Sequence, residues 1–303
     1  MSTGFLLAGC TAVGSALCEF GRKHLTGAGL QSSTIVSLVC LLQGIVGFSV
    51  LGILGTLSLP GSSFWLPALA SAGLSSMTAT LLTVAYSTGD MSLCAPFNAA
   101  LPVFQFFVTG FILRDEESLP PHKIAGVVVV VIASFLLARR GRPAGAWLPS
   151  GAGYVLLCCA IWSFVTKFDQ LATKAAGSPV LYVCYAKFLT GVWAAIGASA
   201  LSSNNGDAEK GFGSGAAMRS IKLLTSQPRL LATLVAVAMI EGLYMGCYFA
   251  ALSTVSKVYV VAIKKGGNLL VSSVGGIFLF GERAEGRVMP VCGVVAGVAM
   301  MSV

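Results

Sequence analysis

The chain has 303 residues and a formal net charge of +8, yet only 10% of its residues are charged, 56% are hydrophobic and 36 are glycine. About 25% of the residues of a soluble globular protein are charged. This composition therefore excludes a soluble enzyme, a disordered protein and a nucleic-acid-binding protein, and we expect a multi-pass membrane protein.

Apolar segments follow one another along the whole chain. About 20 apolar residues are needed to cross a bilayer, and only helices satisfy their backbone within such a segment. We predict an all-α integral membrane fold with ten transmembrane helices. The Gly/Ser-rich polar stretch at 202–227 is predicted to be an extramembrane loop. The predicted spans are 4–24, 30–54, 64–87, 91–113, 121–138, 150–173, 179–201, 228–253, 256–280 and 287–303.

The two halves of the chain resemble each other. The segment beginning at Ala12 matches the one beginning at Ala160, an offset of 148 residues, and FILRDE at Phe111 matches FLFGER at Phe278, an offset of 167. We therefore predict two five-helix repeats, 1–142 and 143–303. Because five is odd, the repeats must have opposite orientations in the membrane, an arrangement typical of secondary transporters.

Two adjacent lysines, Lys264 and Lys265, lie within the ninth predicted span. Either both reach the interface and anchor the helix, or at least one faces the helix bundle. A lysine at the centre of a span costs about 2.5–3.5 kcal/mol on insertion scales, which favours a functional role for at least one. Asn268, one turn further on, is a candidate hydrogen-bonding residue at the same site.

Helix-breaking residues occur at equivalent places in the fourth and ninth spans. Pro96 and Pro102 flank Asn98 in the fourth, and Gly266 and Gly267 follow the lysine pair in the ninth. Matched interruptions in two repeats indicate a substrate site near the bilayer midplane. The alternative is an ordinary proline kink that neighbouring helices satisfy.

Glu241 lies deep in the eighth span, and Tyr244 and Tyr248 follow it at helical spacing on one face. A carboxylate at this depth must be protonated or paired with a cation. Three roles remain open for Glu241: an ion pair that fixes helix packing, a ligand for a substrate amine, or a proton carrier.

Three other ionisable residues, Glu19, Lys167 and Lys187, lie within about two turns of predicted helix ends, and we expect them to extend to the interface. The last span contains a GxxxG pattern, Gly293 to Gly297, which is typical of close packing on a neighbouring helix or on a second copy in a homodimer.

The sequence lacks the catalytic motifs of zinc proteases and of serine hydrolases. It contains no H-E-x-x-H or G-x-S-x-G pattern, and both histidines, His24 and His122, lie outside the predicted spans or at their ends. The nine cysteines lie in apolar segments, where they act as small apolar residues. We therefore expect no enzyme activity, no metal, no cofactor and no nucleic-acid partner.

These patterns together resemble the drug/metabolite transporter superfamily, EamA type, over nearly the whole chain. The carrying segments are A-I-W-S-F from Ala160, F-G-E ending at Glu282, and Y-V-V-A-I-K-K ending at Lys265. Gly14 stands where the family usually has Trp. The resemblance implies ten helices, a central cavity and alternating access. The basic pair is also similar to the one that plastid phosphate translocators use to bind phosphate groups.

The orientation of the chain stays open at this point. With both termini on one face, the loops of that face contain four Lys and Arg residues and those of the other face contain eleven. The positive-inside rule then places the termini away from the cytosol, whereas the family resemblance implies cytosolic termini.

From the sequence we expect a secondary transporter for a small polar metabolite, anionic or zwitterionic, with a coupling ion or a counter-substrate. Lys264 and Lys265 would receive the anionic group. Glu241 would balance charge or bind an amine or a proton, and Asn98, Asn268, Tyr244 and Tyr248 would supply hydrogen bonds. The alternative is a pore or a structural membrane protein without carrier activity.

Overall fold

The computed structural model describes residues 3–98, 100–101, 104, 108, 125–126, 128–129, 132–133, 136, 148–203, 214–254, 257–282 and 288–302. Throughout these residues the fold is helical, with no strand. The helices are α1 (Thr3–Gly27), α2 (Ser32–Ile53), α3 (Ser62–Thr88), α4 (Met91–Asn98), α5 (Ala152–Ala176), α6 (Pro179–Ser203), α7 (Ser214–Ser226), α8 (Pro228–Thr254), α9 (Lys257–Phe280) and α10 (Val288–Ser302).

Within the described part of the chain, six helices are long and apolar enough to cross a membrane: α1, α2, α3, α5, α6 and α8. Large apolar side chains point outward from the helices, such as Leu66 and Phe278, each 81% exposed. Exposure of such a side chain costs free energy in water but not in lipid, because lipid tails are apolar as well. The chain is therefore a multi-pass membrane protein, as the composition predicts.

The predicted and observed helix positions agree within a few residues for most spans, and the structure differs from the prediction in the stretch 202–227. Of the fourth span, 91–113, the structure describes the helix Met91–Asn98 and, beyond it, only residues 100–101, 104 and 108. The fifth, 121–138, lies outside the described residues except at scattered helical positions. Part of the stretch predicted as a loop, 202–227, is helical: α6 runs to Ser203, and α7 covers Ser214–Ser226.

The chain forms two compact units, and each draws residues from both sequence halves. Unit 1 contains Met1–Phe20, Val84–Ser163 and Ile240–Val303, so α4, α9 and α10 belong to it entirely. Unit 2 contains Gly21–Thr83 and Phe164–Met239, with α2, α6 and α7.

In unit 2, α2 packs along α6 in antiparallel fashion. In chain order along α2, Leu41 contacts Gly191 and Gly44 contacts Phe188, so the positions on α6 run in the reverse order. A Cβ atom at Gly44 would be 2.7 Å from the Cβ of Phe188, so only glycine permits this approach. An aromatic cluster in the core of unit 2 contains edge-on ring pairs formed by Phe48, Phe64, Tyr182 and Tyr185, and the exposed ring of Trp65 packs on its edge.

In unit 1, α9 packs against both α4 and α10. Gly293 of α10 lies against Ala133, where a Cβ on the glycine would be 3.1 Å from the alanine Cβ, and Gly297 is buried. Gly293 of the GxxxG pattern thus packs against a residue of the same chain.

Candidate functional site

Lys264 is held between two tyrosine rings in unit 1. Its Nζ atom lies 4.3 Å from the ring centre of Tyr248 and 5.4 Å from that of Tyr244. Aromatic faces attract ammonium groups over such distances, by about 0.5–2 kcal/mol depending on desolvation. The structure thus brings together three residues that the sequence analysis assigned to one candidate site, and their contact fixes a half-buried positive charge within the helices.

Glu241 shares the α8 face with both tyrosines and is only 3% exposed. It lies one turn before Tyr244, in the interior of a helix long enough to span the membrane. Unit 1 therefore contains a buried carboxyl group in α8 and a tyrosine-bound ammonium group in α9. A zwitterionic ligand would need these two kinds of partner.

Asn98 ends α4 inside unit 1. Its side chain is 8% exposed, and its Oδ1 atom is buried without a hydrogen-bond partner among the described residues. The Sγ–H of Cys159 donates weakly to the backbone oxygens of Phe97 and Asn98, at 3.6 and 3.9 Å. Beyond the helix end, the Ala100 N–H bonds back three residues to Phe97. An unpaired buried amide oxygen costs about 1–3 kcal/mol, which a ligand with a donor group would relieve.

The helix interruption predicted in the ninth span is absent. Pro96 lies two residues before the end of α4, whereas α9 continues through Gly266 and Gly267 without a break. The glycines serve close packing instead, because a Cβ at Gly267 would be 2.8 Å from the Cβ of Ala12 in α1. Pro102 lies outside the described residues, and only the backbone of Lys265 is described.

Gly14 also serves close packing. A Cβ at this position would lie 2.7 Å from the Cβ of Tyr244. A larger side chain such as tryptophan would not fit here, so the absence of a side chain at Gly14 helps to place one of the two rings that hold Lys264.

Glu19 is buried, contrary to the prediction that it extends to the interface. The side chain is 7% exposed and lies in unit 1. Its Oε1 accepts from Asn268 Nδ2 at 3.0 Å, and Ser272 Oγ lies 3.0 Å from its Oε2. Asn268, expected to be a substrate ligand, thus uses its amide within the protein. Glu19 is a functional candidate that the sequence analysis did not include in the site. Its spacing was an available signal, because Ser15 and Glu19 lie on one face of α1, as Asn268 and Ser272 do on α9.

Unit 2 contains a second buried polar cluster around Asp169, which the sequence reasoning missed. The hydroxyls of Ser71 and Tyr182 both donate to Asp169 Oδ1, and the two hydroxyl oxygens are 3.3 Å apart. Lys187 interacts electrostatically with the same carboxylate. Asp169 therefore joins α3, α5 and α6, and Lys187 has a specific acidic neighbour rather than serving only as an interfacial anchor.

Among the residues that the structure describes, no group of three His, Cys, Asp or Glu side chains is placed to hold a metal ion. The residues of unit 1 described above instead provide the ammonium group of Lys264, the carboxyl groups of Glu19 and Glu241, and amide and phenol groups. Such a set can bind a small polar molecule through charge and hydrogen bonds.

Comparison with known proteins adds information about the fold. No protein-family model and no curated protein matches the chain. A solved structure, described simply as a crystal structure of a protein, is similar with a TM-score of 0.57. The similarity covers 99% of this chain and 96% of the other at 15% sequence identity. At this identity the likeness shows a shared fold and nothing about activity.

Proposed function

We propose that the chain is a secondary transporter of the drug/metabolite transporter type, which moves a small anionic or zwitterionic metabolite across a membrane by alternating access. The observation that carries the proposal is the half-buried ammonium of Lys264 between two tyrosine rings. A charge placed at such cost among membrane helices marks a substrate or ion pathway in most membrane proteins.

Each residue of the proposed site has a defined role. Lys264, with Lys265 beside it in the sequence, receives the anionic group of the substrate. Glu241 balances this charge or binds a substrate amine. The unpaired Oδ1 of Asn98 accepts a hydrogen bond from the substrate. Tyr244 and Tyr248 hold the Lys264 ammonium and offer hydroxyl groups.

The packing of α2 on α6 supports two inverted repeats. Phe188 lies 147 positions after Leu41, and Gly191 lies 147 positions after Gly44, so the contact of Leu41 with Gly191 is the counterpart of the contact between Phe188 and Gly44. The offset is within one residue of the 148 that relates Ala12 to Ala160. A two-fold axis produces such reciprocal contacts.

Two further observations agree with this symmetry. Because α2 and α6 are antiparallel, equivalent helices point in opposite directions, as inversion requires. In addition, α4 packs on α9, its proposed equivalent in the second repeat. Each compact unit also takes corresponding parts of both sequence halves.

Counterflow in liposomes tests the proposal. Purified protein would be reconstituted with glutamate, inorganic phosphate, glucose 6-phosphate or UDP-glucose inside, and entry of the same labelled compound would be measured. A carrier exchanges label faster when its substrate is present inside. Thermal-shift measurements with the four compounds would first identify which binds the folded protein.

Lys264→Gln is expected to reduce counterflow roughly 10- to 100-fold, the effect of losing one charge-assisted contact of about 1.5–3 kcal/mol. Lys174→Gln is the matched control, because Lys174 is an exposed lysine in the last turn of α5. Unimpaired counterflow in Lys264→Gln would refute the site. Conductance without counterflow would indicate a pore, and no flux at all a structural protein.

A further inference from the structure

The short helix α7 is attached at two points to the start of a membrane helix. At its end, only Gln227 separates Ser226 from Pro228, the first residue of α8. Two turns earlier, Ser220 Oγ accepts a hydrogen bond from the N–H of Gln31, the residue that precedes α2. Both α2 and α8 are long and apolar enough to cross a membrane. Because residues 220 and 227 are about 10 Å apart along the helix axis, α7 lies along the membrane surface instead of projecting away from it.

The exposed surface of α7 consists of an apolar strip and a basic strip. The inner face of the helix is marked by Leu224, which is only 4% exposed. Going round the helix at about 100° per residue, the side chains of Ile221 and Met218 come next, 43% and 54% exposed. Lys222 and Arg219 follow them, and both are exposed. A helix at a bilayer interface has this arrangement, because its apolar side chains reach the acyl chains while its basic side chains stay at the headgroups.

Positive charge is concentrated where α7 meets α8. Arg229, in the first turn of α8, adds a third exposed basic residue to Arg219 and Lys222. None of the three forms an ion pair with a residue that the structure describes. An arginine at the start of a helix adds to the partial positive charge that the helix dipole places there, and a nearby anion offsets this repulsion. The three side chains therefore form a surface that attracts negative charge.

We propose that α7 and the first turn of α8 form a binding surface for anionic phospholipids of the surrounding membrane. Arg219, Lys222 and Arg229 contact the phosphate groups, and Met218 and Ile221 insert among the acyl chains. A lipid fits better than a soluble phosphate or an acidic protein, because the basic strip lies directly beside exposed apolar side chains on a helix fixed at the membrane surface. Basic residues at a bilayer surface attract anionic lipid in this way, and salt screens the attraction.

Bound lipid would act on several helices at once. The helix α7 is hydrogen-bonded to the residue before α2, it leads directly into α8, and it packs on α6. A lipid held by the basic strip therefore requires the folded arrangement of these helices. Binding to the folded chain alone raises the melting temperature as the lipid concentration increases. The lipid surface does not depend on the proposed transport function.

A titration of the melting temperature tests the surface. The purified full chain in a neutral detergent would be titrated with phosphatidylglycerol, phosphatidylcholine or inorganic phosphate. We expect phosphatidylglycerol alone to raise the melting temperature. In Lys222→Gln and in Arg219→Gln, half of the maximal rise should need roughly fivefold more phosphatidylglycerol, the effect of one charge at a membrane surface. Without lipid, both variants should melt with the wild type, because both side chains are exposed.

Lys174→Gln is the matched control for the titration, because it removes an exposed lysine at the end of another membrane helix, α5. Its titration should coincide with that of the wild type. An equal rise with phosphatidylcholine, or equal sensitivity of Lys174→Gln and Lys222→Gln, would overturn the proposal. A rise with inorganic phosphate at the same concentration would indicate an anion site that needs no lipid, and it would overturn the proposal as well.

Quenching by brominated acyl chains tests whether the apolar strip is inserted in the membrane. Ile221→Trp and Ser226→Trp each add an indole at an exposed position of α7. The first position lies in the apolar strip, and the second lies between Lys222 and Arg219 around the helix. In liposomes of brominated phosphatidylglycerol, the fluorescence added by Ile221→Trp should be quenched more strongly than that added by Ser226→Trp. Equal quenching would contradict the orientation of the helix, and no quenching of either would leave the basic strip to a soluble partner; both results would overturn the proposal.

Discussion

Tyr182 contributes one of the two hydroxyl groups that bind Asp169 in unit 2. Hydrogen bonds to charged groups contribute about 1.5–3 kcal/mol, so Tyr182→Phe should lower the free energy of unfolding by about this amount and reduce the melting temperature in detergent. Tyr154→Phe is the control, because Tyr154 is 44% exposed and its hydroxyl can be solvated. Equal melting temperatures for the two variants would contradict a stabilising role for the Asp169 cluster.

Some residues of the candidate site could be predicted from the sequence. Glu241, Tyr244 and Tyr248 lie on one helix, so their spacing alone places them on one face, and the depth of Lys264 in its span predicts burial. Glu19 and Asp169 could not be interpreted in this way. Their partners lie on helices distant in sequence, and a position near a helix end is equally suited to an interfacial side chain. Only tertiary packing distinguishes the two outcomes.

At the scale of the element, Gly267 lets α9 approach α1. In Gly267→Ala the added methyl group would meet the Cβ of Ala12, which cannot rotate away. Overpacking of this kind costs about 1–3 kcal/mol. Gly153→Ala is the matched control, because no atom lies within 4 Å of a Cβ built at that helical position. It should be neutral or slightly stabilising, since alanine favours helix by about 0.5–1 kcal/mol over glycine.

Thermal unfolding of both alanine variants measures this difference, and the two melting temperatures should move in opposite directions or differ clearly. If Gly267→Ala and Gly153→Ala had the same melting temperature, the close approach of α1 and α9 would be refuted. Because Gly267 lies one residue before Asn268, the same variant should also weaken the hydrogen bond from Asn268 to Glu19.

The positions of most helices followed from apolar segment length, whereas two elements did not. The short α7 lies in a stretch whose Gly, Ser and Asn content indicates a loop. Its helix is supported by tertiary contacts: Leu224 is buried, and Ser220 Oγ accepts a hydrogen bond from the backbone N–H of Gln31 at 3.3 Å. The continuity of α9 was also unexpected, because glycine weakens an isolated helix but permits packing that restores its stability.

At the scale of the whole molecule, the repeat relationship makes a topological prediction. In the proposed repeats, the loop between α1 and α2, at 28–31, is equivalent to the loop between α5 and α6, at 177–178. Five predicted spans separate them, so they should lie on opposite faces of the membrane. A repeat with an even number of spans would place both loops on the same face.

Epitope insertion measures the location of these loops. One tag would follow Ala28, a second would follow Gly177, and both sites are exposed. In sealed cells, antibody should reach one tag before permeabilisation and the other only afterwards. A third tag within the exposed 55–59 segment, one span beyond the first, should be opposite to the Ala28 tag and serves as the internal control. Tags at Ala28 and Gly177 on the same face would refute the inverted repeat.

The Ala28 tag also decides the orientation of the chain, because its loop belongs to the face with eleven Lys and Arg residues. A cytosolic tag would satisfy the positive-inside rule. An external tag would favour the cytosolic termini that the family resemblance implies.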